Sequence, residues 1–263
     1  MKSTRDEERL QSAHYDEIAR EYDRHYSDET SERYREQFVN GPMTEGIDLN
    51  GRDVLEPMCG SGSTAQYLLS KGAHLSGLDI SPALMQTFKE KWPEATAICG
   101  SILDTGLPDE SFDAVFVVGG LHHVQPHLDP AIDEIYRILR PGGYFCFAEP
   151  HARSFPDTVR RLWYRVDRLF ERNEEAIDVD DIKSKNGARF DFITTRYAGN
   201  LAYLLVYNSM VFRIPLRWKR VYAPPLLAAE AAINRVLRRG ISCFVVCQWR
   251  KKPALGAAQH LEH

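Results

Sequence analysis

Glycines at alternate positions, two carboxylates at strand ends and a pair of histidines are the residues of this chain whose types and spacing could do chemistry. Val54-Leu55-Glu56 reads as a buried strand ending in an acid, Pro57-Met58-Cys59-Gly60-Ser61-Gly62-Ser63 as a tight loop, and Thr64-Ala65-Gln66-Tyr67-Leu68-Leu69 as the first turns of a helix. Glycine lets the backbone take positive φ and approach a ligand closely, and the amides and dipole of a helix N-terminus favour a negative group, so the layout suits a nucleotide-type cofactor. The next strand, His74 to Leu78, ends in Asp79, 17 residues past Gly62, where a carboxylate can accept both hydroxyls of a ribose. Gly60-x-Gly62-x-x-Ala65 fits the dinucleotide fingerprint too, so the loop by itself does not choose between cofactors. His122 and His123 follow a fourth apolar strand, and imidazole titrates near neutrality, as base work requires. Glu149 and His151 stand at the end of the fifth. His123, His127 and Asp129 are metal-ligand types, but Pro126 interrupts the helix that would align them, and no metal is implied.

The elements that must position these groups alternate between strand and helix. After the glycine loop, Gly72 closes the first helix, and Ser81-Pro82 opens a second as N-cap and first residue, with Leu84, Met85 and Phe88 inward until Pro93. Ala95 to Cys99 reads as a third strand and Ser111 to Val118 as a fourth. Ile132, Ile135, Tyr136 and Leu139 mark a helix from about Asp129, and Tyr144 to Ala148 a fifth strand. From Ser154 an amphipathic helix carries Val159, Leu162, Trp163, Val166, Leu169 and Phe170 on one stripe expected to face the core or a lid. An acidic stretch expected to be mobile, Glu174 to Asp181, precedes a sixth strand, Arg189 to Arg196; a helix, Pro225 to Arg238, precedes a seventh, Ile241 to Trp249.

With Glu56 ahead of its glycines, the sequence resembles the class I S-adenosylmethionine-dependent methyltransferases, whose first motif runs apolar-apolar-acid-x-Gly-x-Gly-x-Gly. It looks most like the branch acting on small molecules, which includes ubiquinone-type and sugar methyltransferases. Tyr15-Asp16-Glu17-Ile18-Ala19-Arg20-Glu21-Tyr22-Asp23, Phe112-Asp113-Ala114-Val115 and Leu139-Arg140-Pro141-Gly142-Gly143 add to the resemblance, which covers Tyr15 to Glu149 well and the rest in outline. It implies an α/β, Rossmann-like fold: a seven-stranded, mostly parallel sheet with helices on both faces, an antiparallel last strand and a helical lid. Residues 1–40 would form lid helices, 41–150 the cofactor-binding core, and 151–260 the remaining strands with a substrate-binding helical insertion, while 261–263 look like a tag remnant. It implies S-adenosyl-L-methionine as cofactor and S-adenosyl-L-homocysteine as product. Glu56 and the amides around Gly60 and Gly62 would hold the methionine end and Asp79 the ribose; Ile80, Ser101, Ile102 and Leu121 would surround adenine or sulfur, with Met58 and Gly119 in the same wall. Tyr15 and Tyr22 would close over the cofactor, and Tyr26, Tyr34 and Arg35 continue that segment toward the substrate.

Two residues depart from the family pattern. Met58 stands where the first glycine is usual, and a methionine cannot copy glycine's φ freedom, so the loop or the methionine end of the cofactor is expected to sit differently. Ser101 stands where an aspartate usually meets the adenine amino group, which shifts recognition onto backbone and the apolar walls of Ile80 and Ile102. A sulfonium methyl group is already activated, so the protein must align a nucleophile, exclude water and, where needed, take a proton. The candidates for the proton are His123 first, then His122 and Glu149; the alternative is that the histidines only pack or bond backbone.

Composition narrows the remainder. A chain of 263 residues with 43% hydrophobic content suits one α/β domain with a lid. No apolar run spans a bilayer, no signal-peptide core opens the chain, and five scattered cysteines read as core residues of a reducing compartment, so a soluble, cytoplasmic protein is expected. The net charge of −4 is divided as −13 over residues 1–150 and +9 over residues 151–263. The basic half, with Arg213, Arg217 and Lys219 in an apolar segment, suggests an anionic or amphiphilic small-molecule acceptor, or else only a solvated face. Peripheral membrane contact stays open, as does oligomeric state. A nicotinamide dehydrogenase is disfavoured because Tyr-x-x-x-Lys occurs only at Tyr67 to Lys71, directly after the glycine loop. A nucleic-acid methyltransferase is disfavoured by an acidic first half and by the lack of an Asn/Asp-Pro-Pro-aromatic motif after strand four. A non-catalytic cofactor-binding protein is the reading that Met58 and Ser101 would favour.

Overall fold

The structure, a computed structural model, describes residues 28–164, 175–209, 216–236 and 239–253. Tyr15, Tyr22, Tyr26, Arg213 and the C-terminal remnant lie outside the described residues.

Seven strands form one sheet in the order β3-β2-β1-β4-β5-β7-β6: β1 (Asp53–Pro57), β2 (His74–Asp79), β3 (Thr96–Cys99), β4 (Phe112–Val118), β5 (Leu139–Pro150), β6 (Phe190–Ala198) and β7 (Phe244–Lys251). β1 to β5 run parallel, and β7 lies antiparallel between β5 and β6. The Rossmann-like sheet with an antiparallel last strand is as the sequence implies. Val54, Leu55, Val115, Phe116, Val117, Phe145 and Phe147 are fully buried, because helices cover both faces and a central parallel strand meets no water. The chain leaves β1 toward β2 on one side, while β4 enters on the other, so β1 and β4 flank a topological switch point, where open α/β sheets hold ligands.

Helices α1 (Glu29–Arg35), α2 (Ala65–Ser70), α3 (Pro82–Lys91), α4 (Leu128–Ile138), α5 (Phe155–Tyr164), α6 (Val179–Asn186) and α7 (Leu216–Asn234) complete the layers. Ser81 caps α3 as expected, its Oγ accepting from the Leu84 amide at 3.1 Å. Gly72 follows α2 at φ 79°, the left-handed position that glycine fills without penalty. Other expectations shift. β5 begins at Leu139, five residues early, because Leu139 pairs with Phe112 and a register shift absorbs the Pro-Gly-Gly bend. Val159 on α5 is 44% exposed instead of buried, while Leu162 and the rest of that stripe lie outside the residues whose side chains are described. Part of the acidic stretch expected to be mobile is ordered: Asp178 caps α6, and Ile177 is fully buried and paired with His151. Residue 241 belongs to a 3-10 turn, not to β7.

α7 was expected to start at Pro225, yet it runs from Leu216 with Pro224 and Pro225 inside. Its buried face outweighs the two missing amides. Lys219 is 1% exposed, its Nζ donating at 2.6 Å to Asp28 Oδ2 and at 2.6 Å to Ser31 Oγ. Asp28 also caps α1 by accepting from the amides of Thr30 and Ser31. Tyr34 Oη donates to Glu230 Oε1 at 3.0 Å, so two polar clamps bind α1 to α7. Lys219→Ala is expected to lower the unfolding free energy by about 3 kcal/mol, since it strands Asp28 beside buried surface, and a second change, Asp28→Asn, to restore most of that loss; urea denaturation checks both.

Candidate functional site

The glycine loop keeps a left-handed path despite its methionine. Met58 takes φ 58°, Gly60 φ 55° and Gly62 φ 87°. Met58 thus adopts a left-handed conformation that glycine takes freely, at a cost of about 1–2 kcal/mol. Its side chain lies against the loop after β4, with Cβ and Sδ 3.0 Å from where a Gly120 Cβ would be. A Cβ on Gly62 would stand 2.4 Å from Trp92 Nε1, which itself donates to Ser61 O at 3.1 Å, so the end of α3 braces the loop from behind. Asp79, at the tip of β2, anchors it from the side: Oδ2 accepts from the Gly60 amide at 2.9 Å and Oδ1 from the Ser81 amide at 3.0 Å.

Glu56 closes β1 at 2% exposure, and its Oε2 has no hydrogen-bond partner among the described residues; nor has the buried Thr64 Oγ1. Burial lifts its carboxyl to about 8, with Thr64 and the Arg35 charge pulling back only in part and Asp79 pushing further up. A buried acid in that condition gains from a cation. Arg35, 3% exposed on α1, brings a positive group to the same place. Between α1 and the loop opens a cleft of about 270 Å³, lined by Glu32, Arg35, Ser61, Gly62, Gln66 and Trp92 among others. Orphaned acceptors, a guanidinium and exposed loop backbone are what the methionine end of S-adenosylmethionine requires, so the residues fit that group.

On the other side of the switch point, Glu149 ends β5 at 1% exposure. Its Oε1 accepts from the amides of Gly120 and Leu121, both at 2.8 Å, and its Oε2 lies 2.8 Å from His122 Nδ1. A carboxylate only accepts, so Nδ1 carries the hydrogen and Nε2 is left as an acceptor. Burial raises Glu149 to about 7, and burial together with the Arg160 charge lowers His122 to about 3. Above neutrality the pair thus carries one negative charge, on the carboxylate. The geometry favours His122 over His123, the first choice from sequence. His123 is only partly buried and its ring lies 3.9 Å from that of His122.

Gly119, at φ 63°, and the fully buried Leu121 form the same loop; Leu121 packs in the core cluster of Ile132, Ile135 and Val117. Ile80 and Ser101 are half-buried at the ends of β2 and β3, Ser101 Oγ accepting from the Leu103 amide at 3.1 Å, while Ile102 is 3% exposed in that core. Sequence reasoning missed Arg160 and Trp92. Arg160 has a weak signal in its helical spacing from Asp157, to which it bonds at 3.0 Å, whereas Trp92 looked only like the residue before a helix-ending proline. Lys219, expected toward an acceptor, is consumed by Asp28 and Ser31.

Comparison with known proteins agrees with this arrangement. A family model described as a methyltransferase domain matches residues 55–147. A solved S-adenosylmethionine-dependent methyltransferase from Thermotoga maritima superposes with a TM-score of 0.63 over 91% of this chain and 99% of its own, at 18% identity, which is likeness of fold. The phthiotriol/phenolphthiotriol dimycocerosates methyltransferase of Mycobacterium tuberculosis is 37% identical over 107 residues, 39% of each chain. The chain spans only 39 to 57% of the length of the relatives matched through this half. The fatty-acid O-methyltransferase of Mycolicibacterium smegmatis is 33% identical over 225 residues, 83% of this chain and 76% of its own. With that breadth of likeness added to the sheet order and the strand-tip carboxylates, the chain belongs to the class I S-adenosylmethionine-dependent methyltransferases.

Proposed function

We propose that this protein methylates the carboxyl oxygen of an amphiphilic small-molecule acid. The observation that carries the reading is the Arg160 guanidinium close to the buried His122, whose basicity burial and that charge lower. A guanidinium there suits a nucleophile that arrives already ionised. The breadth of the match to a fatty-acid O-methyltransferase supports an acid with an apolar chain. A second reading, methylation of a hydroxyl, is favoured by the 2.8 Å bond from Glu149 that leaves His122 Nε2 as a proton acceptor.

S-adenosylmethionine supplies an activated methyl group when bound. Glu56, Thr64 and Arg35 would hold its methionine end, Asp79 its ribose, and Ile80, Ser101 and Ile102 its base. Glu149 fixes the loop 119–123 through two amides and sets the orientation of His122 through Nδ1. The buried Leu121 and the half-buried Met58 would keep water from the reacting atoms.

Incubation with methyl-labelled S-adenosylmethionine and a panel of long-chain acids and the matching alcohols is expected to label the acids as base-labile esters. His122→Gln is expected to reduce kcat/KM for the acid less than about tenfold; a loss of about 10²–10⁴ would establish the hydroxyl reading instead. Asp79→Ala is expected to weaken cofactor binding by about 2–3 kcal/mol in calorimetry, with NAD giving no heat in either protein. Without cofactor, Glu56 binds its proton more tightly folded than unfolded, so its burial penalises the fold increasingly as pH rises from about 4.5 to about 8. Glu56→Gln is accordingly expected to match the parent near pH 5 and to exceed it by up to about 3 kcal/mol at pH 8 in denaturant melts, while losing cofactor affinity.

A further inference from the structure

Helix α7 is built inside out. Its inward face carries Lys219, Ala223, Leu227 and Glu230, all buried. Its outward stripe, at helical spacing, is Trp218, Val221, Pro225, Ala228 and Ala232, every one exposed, with Trp218 at 56% and Val221 at 72%. The charges bordering that stripe are Arg220 and Arg235, both exposed, and the sole acid between residues 216 and 236 is the buried Glu230. Tyr222 Oη donates to Leu205 O at 2.6 Å, tying α7 to the turn whose Leu201 and Leu204 are themselves 46% and 36% exposed. The apolar surface therefore continues beyond the helix. All nine large apolar side chains that stand exposed among the described residues lie from Phe155 to Ile241, within the half of the chain whose balance is +9.

An apolar stripe bordered by arginine, on a helix that exposes no acid of its own, matches one kind of neighbour better than another. A second copy with its α7 seated on this one by two-fold symmetry would bring arginine toward arginine with no acid from either helix between them. An anionic bilayer offers acyl chains to the stripe and phosphates to its border. We propose that this face of α7 seats on an anionic lipid surface, with Trp218 and Val221 entering the headgroup–acyl boundary and Arg220 and Arg235 meeting lipid phosphates. Docking of this kind requires no turnover, so it stands or falls apart from the acceptor reading above.

The test is sedimentation of the full chain with sucrose-loaded vesicles, of phosphatidylcholine alone or mixed equally with phosphatidylglycerol, at low and high salt. The protein is expected to pellet with the mixed vesicles and about tenfold less with phosphatidylcholine, and to be released by salt. Trp218→Ser with Val221→Ser is expected to cut mixed-vesicle binding about tenfold or more while S-adenosylmethionine binding stays unchanged, and Val221→Ser alone, at a side chain 72% exposed, to weaken vesicle binding without a change in thermal melting. Arg220→Gln and Arg235→Gln are each expected to weaken it roughly fivefold. Equal pelleting of parent and the Trp218/Val221 variant overturns the proposal, as does absence of pelleting with either vesicle. So does a dimer in sedimentation equilibrium that this variant dissociates while vesicles leave the parent in solution, which assigns the stripe to a second copy.

Discussion

A carboxylate withdrawn from water at the tip of a strand must be met by donors or by a cation, and that electrostatic demand arranges the site. Glu149 is met within the protein: two backbone amides and an imidazole N–H converge on it, and in doing so they fix the loop after β4 and set the tautomer of His122. Glu56 is met incompletely, with one oxygen buried and unpartnered beside Thr64 and Arg35. The two acids lie on β1 and β5, on either side of β4, and differ in that the described residues satisfy both oxygens of Glu149 but not Oε2 of Glu56.

The loop between these acids shows how much strain the sheet can hold. Met58 sits at positive φ where glycine would sit freely, and the bend persists because everything around it is already fixed. Asp79 holds the Gly60 amide, Trp92 caps the Ser61 carbonyl, and the Gly120 backbone leaves just enough room for the methionine side chain. A residue of poor local propensity is carried by contacts from β2, α3 and the loop after β4. The same logic carries two prolines inside α7, whose inward face is secured by Lys219 and Glu230.

That clamp also relocates the basic charge of the second half. Lys219 reads in the sequence as one more cation in an apolar, basic segment, yet it is spent on binding α7 to the cap of α1. With Lys219 and Glu230 turned inward, α7 is left with an apolar outer stripe bordered by arginine. The electrostatics that hold the covering helices in place and the surface that those helices present are thus two faces of one arrangement.

The sequence by itself determined the strand-loop-helix at Glu56 to Leu69, the cap at Ser81, the acids at 56, 79 and 149 and the Rossmann-like class, because these depend on patterns within about a dozen residues: apolar runs, glycine spacing and turn chemistry. It placed His122 and His123 in the site and put His123 first, the order that the geometry does not favour. Their order of importance depends on Glu149, 27 residues beyond His122 and brought alongside only by the parallel pairing of β4 with β5. It likewise could not show that Lys219 meets Asp28, 191 residues away, or that Val159 faces water. Periodicity tells that a helix has two faces and spacing tells which residues share one; which face is covered, and which charges are paired there, is decided only when distant segments pack, since burial and ion pairing are properties of the assembled neighbours and not of the local chain.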